Sequence, residues 1–103
     1  MTKQQKTIIK KISASFNEFD LENIELEDAK TYQGDPCVIF SLCGVLHNKF
    51  DFCIIPVKHG YDLDFRWLSC AICSVHLRSL VEVICVLRMY LFVGEAIFAG
   101  NFK

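Results

Sequence analysis

The sequence predicts an α+β fold: an N-terminal amphipathic helix, a three- to four-stranded antiparallel sheet, and a long apolar C-terminal helix packed on the sheet. Three observations predict it. Apolar residues first recur at helical spacing, then alternate with polar residues in short segments separated by turns, and finally form a nearly unbroken apolar run. With 103 residues, of which 52 % are hydrophobic, the chain has the size and composition of one domain, and we expect residues 1–103 to form it.

The N-terminal segment has the signature of a capped helix. Thr2 is followed three residues later by Gln5, the spacing of a capping box. Ile8, Ile12 and Phe16 then recur at a spacing that places them on one face, while lysines fall mainly on the other. We expect an amphipathic helix that ends near residues 17–20.

The middle of the chain changes to a two-residue rhythm. Ile24 and Leu26 alternate with Glu25 and Glu27, which is typical of a half-exposed strand. The strands are predicted at residues 22–32, 37–46, 50–56 and 62–68, with turn residues at 33–36, 47–48 and 58–60. The second of these is apolar throughout, so we expect a central strand covered on both faces. Short connections between consecutive strands predict an antiparallel meander.

The apolar run that follows predicts the C-terminal helix. Ser69 is placed to cap a helix over residues 70–93 that crosses the sheet. Several residues between 81 and 86 are β-branched, so a strand in part of this run is the alternative.

Residues 80–98 also have the hydropathy of a membrane span. Glu82, Arg88 and Glu95 interrupt the run, and an arginine near the centre of a bilayer is costly. We therefore expect a helix buried against the protein or in a homodimer interface, and no membrane contact, with membrane insertion as the alternative.

The net charge of the chain does not indicate a charged partner. The 11 basic and 12 acidic residues give a net charge of −1, which favours neither nucleic acid nor an anionic membrane as a partner. Phe50, Phe52, Phe65 and Trp67 on adjacent predicted strands could stack on nucleic-acid bases, but a basic groove is missing. The only basic residues nearby, Lys49, Lys58 and Arg66, are balanced by Asp51, Asp62 and Asp64. We interpret these aromatic residues as core.

The six cysteines are interpreted as reduced residues of a cytoplasmic protein. The N-terminus leads into a polar amphipathic segment without the apolar stretch of a signal peptide. Five cysteines lie in apolar runs, as small core residues do, at positions 37, 43, 53, 73 and 85.

Metal binding and catalysis have weak candidates. Cys70, Cys73 and His76 form the most metal-like string, yet a structural zinc site needs four ligands and no second pair of ligands is present. Cys70 is also the nearest candidate for a nucleophile, because the predicted helix would begin there and stabilise a thiolate. No phosphate-binding loop or hydrolase motif occurs, so we expect no cofactor and no enzymatic activity, with a cysteine-dependent enzyme as an alternative.

The strongest feature of the chain is a change of charge. Residues 1–17 contain four lysines and no acids, whereas the next 11 residues contain half of all the acids, namely Glu18, Asp20, Glu22, Glu25, Glu27 and Asp28. Such a cluster either protects a solvated sheet edge from aggregation or complements a basic partner. It predicts a small non-enzymatic, protein-binding protein, most simply a stoichiometric inhibitor of the toxin-immunity or phage anti-defence type whose partner is a basic toxin or nuclease. A homodimeric interaction or chaperone-like module, joined through the C-terminal helix, is the other non-enzymatic alternative.

Overall fold

The computed structural model describes residues 1–17, 21–22, 24–42, 50–67 and 70–98. Two helices flank a five-stranded sheet in an α+β arrangement. The elements are α1 (Lys3–Ser15), β1 (Ile24–Lys30), β2 (Pro36–Leu42), β3 (Phe50–Val57), β4 (Gly60–Trp67), β5 (Cys70–Leu77) and α2 (Leu80–Phe98).

The sheet is a meander in which every strand pairs with its neighbours in the sequence. The strand order is β1-β2-β3-β4-β5 and all four pairings are antiparallel. Two glycines with positive φ close hairpins, Gly34 between β1 and β2 and Gly60 between β3 and β4. Gly60 also lies against the backbone carbonyl of Leu77 so closely that a Cβ atom would collide with it. Glycine at this position therefore allows the β3–β4 hairpin to pack against β5.

Helix α1 begins with the capping box that the sequence predicts. The backbone N–H of Gln5 donates to Thr2 Oγ1 at 3.1 Å, and the Thr2 N–H donates to Gln5 Oε1 at 2.7 Å. The apolar face buries Ile8, Ile12 and, just beyond the helix, Phe16. The helix ends at Ser15, slightly earlier than expected.

The prediction of three to four strands followed by a helix from residue 70 is wrong, because residues 70–77 form a fifth strand. Apolar periodicity does not separate a strand from a helix in a run this uniform, whereas pairing with β4 satisfies the backbone groups of β5 that face it. The helix starts ten residues later, where Ser79 Oγ accepts a hydrogen bond from the Glu82 N–H at 3.3 Å.

Both helices pack on one face of the sheet and contact each other there. The core contains alternate residues of the inner strands, such as Phe40, Ile54 and Leu63, together with Val83 and Leu87 of α2. The opposite face carries no helix among the described residues and is called the helix-free face below. The sequence predicts that the strand beginning at Cys37 is covered on both faces. Cys37 and Val38 point to opposite faces of β2 and are 1 % and 0 % exposed, so the start of the strand is buried on both; Ile39 and Ser41, on the helix-free face, are partly buried.

Aromatic rings from the sheet and α2 join within this core. Phe52 lies 4.7 Å from Tyr90 in an edge-to-face arrangement, and Phe65 contacts both rings. Phe52 and Phe65 thus fill the core, as expected; the side chains of Phe50 and Trp67 lie outside the described part.

The helix α2 does not meet the requirements of a membrane span. Among the residues that the structure describes, no helix is both long enough and apolar enough to cross a bilayer.

Candidate functional site

The predicted acidic cluster is placed partly on the outermost strand of the sheet. Glu25 and Glu27 are exposed on the helix-free face of β1, since they alternate with Ile24 and Leu26, which point to the core. Asp28 is exposed on the same strand, and Glu22 is exposed just before it. Glu18 and Asp20 lie outside the described residues. The structure thus places three of the six acids on one short strand.

The contacts of a buried glutamine show which backbone groups of β1 point toward β2. Gln5 is 4 % exposed, and its Nε2 donates to the carbonyl oxygens of Ala29 at 3.0 Å and of Cys37 at 2.9 Å. Ala29 and Cys37 are partners in the β1–β2 register. One amide nitrogen reaches both oxygens only if the two residues face each other across the strands, as a hydrogen-bonded antiparallel pair does.

This pairing leaves the backbone groups of alternate β1 residues pointing away from the sheet. If Ala29 faces β2, then the N–H and C=O groups of Leu26 and Asp28 face outward. Within the described part of the chain, β2 is the single strand that pairs with β1. The outer edge of β1 therefore combines unpaired backbone groups with acidic side chains on either side of them. The sequence predicts the acids but contains no local signal for the contact between Gln5 and the sheet.

A depression lies on the helix-free face, between the β1–β2 turn and strands β3 to β5. Its volume is about 390 Å³, which is within the range of small-molecule sites. Its lining residues are Lys30, Thr31, Tyr32, Gln33, Cys53, Ile55, Asp64, Arg66 and Ala71. Sequence reasoning missed this site, because four separate elements contribute to it.

An ion pair stiffens one side of the depression. Arg66 donates from Nε to Asp51 Oδ1 at 2.6 Å and from Nη2 to Oδ2 at 3.0 Å, across the β3–β4 register. These hydrogen bonds raise the pKa of Arg66 above its ordinary value. Because both side chains are about one-fifth exposed and the contact is bidentate, the guanidinium is held in one orientation.

The floor of the depression includes an unreactive thiol. Cys53 is 4 % exposed, and burial, followed by the neighbouring Cys37 thiol, raises its pKa to about 12. A thiol with this pKa is almost entirely protonated at neutral pH and is a poor nucleophile or metal ligand. Cys37 and Cys53 are thus core residues as expected, whereas Cys73 and Cys85 are exposed, contrary to expectation; Cys43 lies outside the described residues.

The residues of the metal-like string are separated by the sheet. Cys73 pairs with Phe65, on the helix side of the sheet. Because of a β-bulge in β5, Cys70 pairs with the β4 residue two positions after Phe65 and therefore lies on the same face as Cys73. His76 pairs with Asp62 on the helix-free face, where its Nδ1 lies 2.9 Å from Asp62 Oδ1. No group of three or more potential metal ligands occurs within the described part of the chain.

Cys70 also lacks the environment expected of a nucleophile. It lies on a strand, so no helix N-terminus stabilises its thiolate. The nearest histidine along β5, His76, uses both ring nitrogens, since Nε2 lies 3.2 Å from the carbonyl oxygen of His59 and Nδ1 contacts Asp62. His76 lies on the helix-free face and Cys70 on the helix side of the sheet, so the two do not form a nucleophile–base pair.

A third surface is apolar and lies at the opposite edge of the sheet from β1. Seven of the eight residues of β5 are exposed, among them Ile72 (58 %) and Val75 (47 %). On the neighbouring helix α2, Val81 and Met89 are 70 % and 69 % exposed. Large apolar side chains exposed on two adjacent elements are typical of an interface.

Comparisons of the chain with protein-family models, with curated proteins and with solved structures find no match. Three surfaces therefore guide the inference of function: the acidic edge of β1, the helix-free depression, and the apolar surface of β5 and α2.

Proposed function

We propose that this chain is a small non-enzymatic protein-binding protein that captures a basic, extended segment of another protein along the acidic edge of β1. One observation carries this proposal: outward-facing backbone groups at Leu26 and Asp28 lie between exposed carboxylates. An added strand would bond to the backbone groups, and its basic side chains would meet Glu25 and Glu27.

The same arrangement suits a stoichiometric inhibitor. Toxins and nucleases that act on anionic substrates carry basic surfaces, and an acidic edge would occupy such a surface by charge complementarity. Burial of Cys53 and the separation of Cys70 from His76 on opposite faces of the sheet support a non-enzymatic role. An inhibitor of the toxin-immunity or phage anti-defence type is the form of the proposal that we favour.

A defined peptide tests the binding mode. A short synthetic peptide in which lysine alternates with valine should shift the backbone amide resonances of Leu26 and Asp28 in isotope-labelled protein, and a peptide with glutamate in place of lysine should not. The double variant Glu25→Lys/Glu27→Lys should weaken binding by about tenfold or more, because two cross-strand attractions become repulsions. Glu82→Lys, an exposed charge reversal on α2, is the matched control and should bind as wild type does.

Capture of the native partner tests the function. Partners recovered with the wild-type chain and with Glu82→Lys should be lost with the double variant, and recovery should decrease as salt screens the charges. If the double variant retains both its fold and its partner, the acidic edge is not the contact surface.

The apolar surface of β5 and α2 supports a second candidate, a homodimeric interaction or chaperone-like module. In a dimer joined there, the edge of β5 or the outer side of α2 would be covered by a second copy. Sedimentation equilibrium should then give twice the mass of one chain, and Val75→Lys or Val81→Glu should restore the mass of a monomer. A monomeric wild-type chain at high concentration would rule this candidate out.

A further inference from the structure

The outer edge of β1 is acidic on the helix-free face of the sheet. Glu25 and Glu27 are exposed there. Their neighbours on the same face of β2 carry no charge: Cys37, Ile39 and Ser41. A strand that pairs with the outer edge of β1 would therefore meet two carboxylates on this face.

The helix side of the same edge is apolar at Leu26. This side chain points to the helices and is half-buried, as is the side chain of Ile9 on α1. Both residues pack against the buried core from its margin. The two faces of the β1 edge thus differ in polarity.

Ile9 lies on the flank of α1 that is turned away from α2. Thr7 and Lys11 line a cavity together with residues of α2. Each of them is two residues from Ile9 and is therefore about 200° away around the helix. Because α1 packs on β2 and α2 packs on β4 and β5, the flank that is turned away from α2 faces the outer edge of β1.

Ile9 and Leu26 lie along the same part of this edge. At one end of α1, the Gln5 amide contacts the carbonyl oxygen of Ala29. At the other end, the centroid of the Phe16 ring lies 6.0 Å from that of the phenylalanine that pairs with Leu26. Since Ile9 lies between these two ends of the helix, it is located beside the stretch of β1 from Leu26 to Ala29.

Lysines lie near these two apolar residues. Lys6 is three residues before Ile9 and shares its flank of α1, and Lys10 follows Ile9 directly. Lys30 is exposed on the helix side of β1, where Asp28 is the one acid of that strand. The helix side of the edge is therefore net positive, opposite in sign to the helix-free face.

The alternation of side chains in a strand converts this difference into a sequence pattern. Successive residues of an added strand point to opposite faces of the sheet. Basic residues on one face would be attracted by Glu25 and Glu27, whereas basic residues on the other face would be repelled by the lysines. Apolar residues on that second face would instead remove the surface of Leu26 and Ile9 from water.

We propose that the edge of β1 captures an amphipathic strand in which basic residues alternate with apolar residues. The basic side chains lie over Glu25 and Glu27, and the apolar side chains lie against Leu26 and Ile9. This inference rests on the proposed function and specifies the segment that the acidic edge recognises.

Two peptides that differ only on the helix side test this pattern. Lysine alternates with valine in the first and with threonine in the second; threonine matches valine in shape and strand propensity but has a hydroxyl group in place of a methyl group. We expect the valine peptide to bind about tenfold more tightly, because hydroxyl groups that face apolar side chains lose their hydration. The methyl resonances of Ile9 and Leu26 should shift when the valine peptide binds.

Two isoleucine variants test the apolar contact. Ile9→Ala should reduce the preference for valine over threonine to below about threefold, because part of the apolar surface is removed. Ile84→Ala makes the same change at a half-buried position of α2 and should leave the preference at about tenfold. Circular dichroism checks that both variants fold, and the comparison of the two peptides on the wild-type chain needs no variant.

Two lysine variants test the charge of the helix side. A peptide of lysine alone places basic side chains on both faces of the added strand. Lys6→Glu should strengthen its binding about threefold more than Lys11→Glu does, because Lys11 lies on the flank that faces α2. Both variants change the net charge equally, so a difference between them reports position.

Four results would overturn this inference: equal affinity for the valine and threonine peptides, unshifted methyl resonances, a preference that Ile9→Ala leaves unchanged, or equal effects of Lys6→Glu and Lys11→Glu. The proposed function would survive each of them, because the peptides would still shift the amide resonances of Leu26 and Asp28. If neither peptide shifts those amides, the proposed function itself fails and this inference fails with it. The two failures are therefore distinguishable.

Discussion

Replacing Gln5 with leucine should destabilise the protein far more than its polar character suggests. The amide of Gln5 donates to the carbonyls of Ala29 and Cys37 and accepts from the Thr2 N–H. It therefore caps α1 and joins that helix to two strands at the same time. Leucine has a similar volume but makes none of these three hydrogen bonds.

The size of the effect follows from these three bonds. Each contributes about 0.5–1.5 kcal/mol net, and the sum is reduced by the greater apolar burial of leucine. The carbonyls of Ala29 and Cys37 face each other across the β1–β2 pair, so they keep their strand partners and are not left fully unpaired. We expect Gln5→Leu to lower the free energy of unfolding by about 2 kcal/mol, which lowers Tm by about 10 °C in a chain of this size.

Urea unfolding monitored by circular dichroism measures this loss. Gln4→Leu makes the same chemical change at an exposed position of the same helix and should alter stability by less than about 0.5 kcal/mol. Thr2→Ala removes the cap and leaves the sheet contacts, so it should cost about 1 kcal/mol. Gln5→Glu should be less stable than Gln5→Leu at neutral pH, since a carboxylate would face two carbonyl oxygens, and it should recover as acid protonates it.

Equal stability of Gln5→Leu and Gln4→Leu would refute the reasoning. It would mean that the contacts of the Gln5 amide contribute nothing net to the fold. A loss no larger than that of Thr2→Ala would show that the cap alone matters and that the sheet contacts do not.

Three further measurements test the core and the thiols, and the first and second contrast a buried residue with an exposed one. Leu87→Ala should cost about 3 kcal/mol in urea unfolding because it leaves a cavity, whereas Met89→Ala should change stability by less than about 0.5 kcal/mol; equal effects would contradict the assigned burial of α2. A thiol reagent at neutral pH should label Cys70 rapidly and Cys53 only on unfolding, and rapid native labelling of both would refute the burial of Cys53. Burial raises the pKa of Cys53 from 9.0 to about 12 and that of Tyr90 from 10.0 to about 12. The folded chain therefore retains protons that the unfolded chain releases, and stability should fall above about pH 9 by up to about 1.4 kcal/mol per pH unit for Cys53; stability that rises there would contradict both shifts.

Local sequence patterns predicted the elements whose signal is contained within a few residues. The Thr2–Gln5 spacing correctly predicts the start of α1, and the alternation around Glu25 correctly predicts β1. Turn residues before Pro36 and around Gly60 correctly separate successive strands. These signals work because capping, strand alternation and turn geometry depend on neighbouring residues.

Residues 70–77 show where such patterns fail. The run from Cys70 onward is apolar without a clear period, and β5 is exposed on both faces, so no alternation appears. The choice between strand and helix there depends on pairing with β4, which is a contact between separate segments. The burial of Cys73 was mispredicted for the same reason, since this residue lies on the exposed strand.

The acidic cluster of residues 18–28 is a property of the sequence by itself, as are the capped N-terminal helix and the hairpins of the meander. Only the tertiary structure decided that β1 is an edge strand with outward-facing backbone groups at Leu26 and Asp28. It alone brought Cys53, Asp64 and Arg66 around one depression, and it alone placed the Gln5 amide on two strands. The physical reason is that capping, turns and alternation act over a few residues, whereas edges, depressions and buried hydrogen bonds arise where distant segments pack.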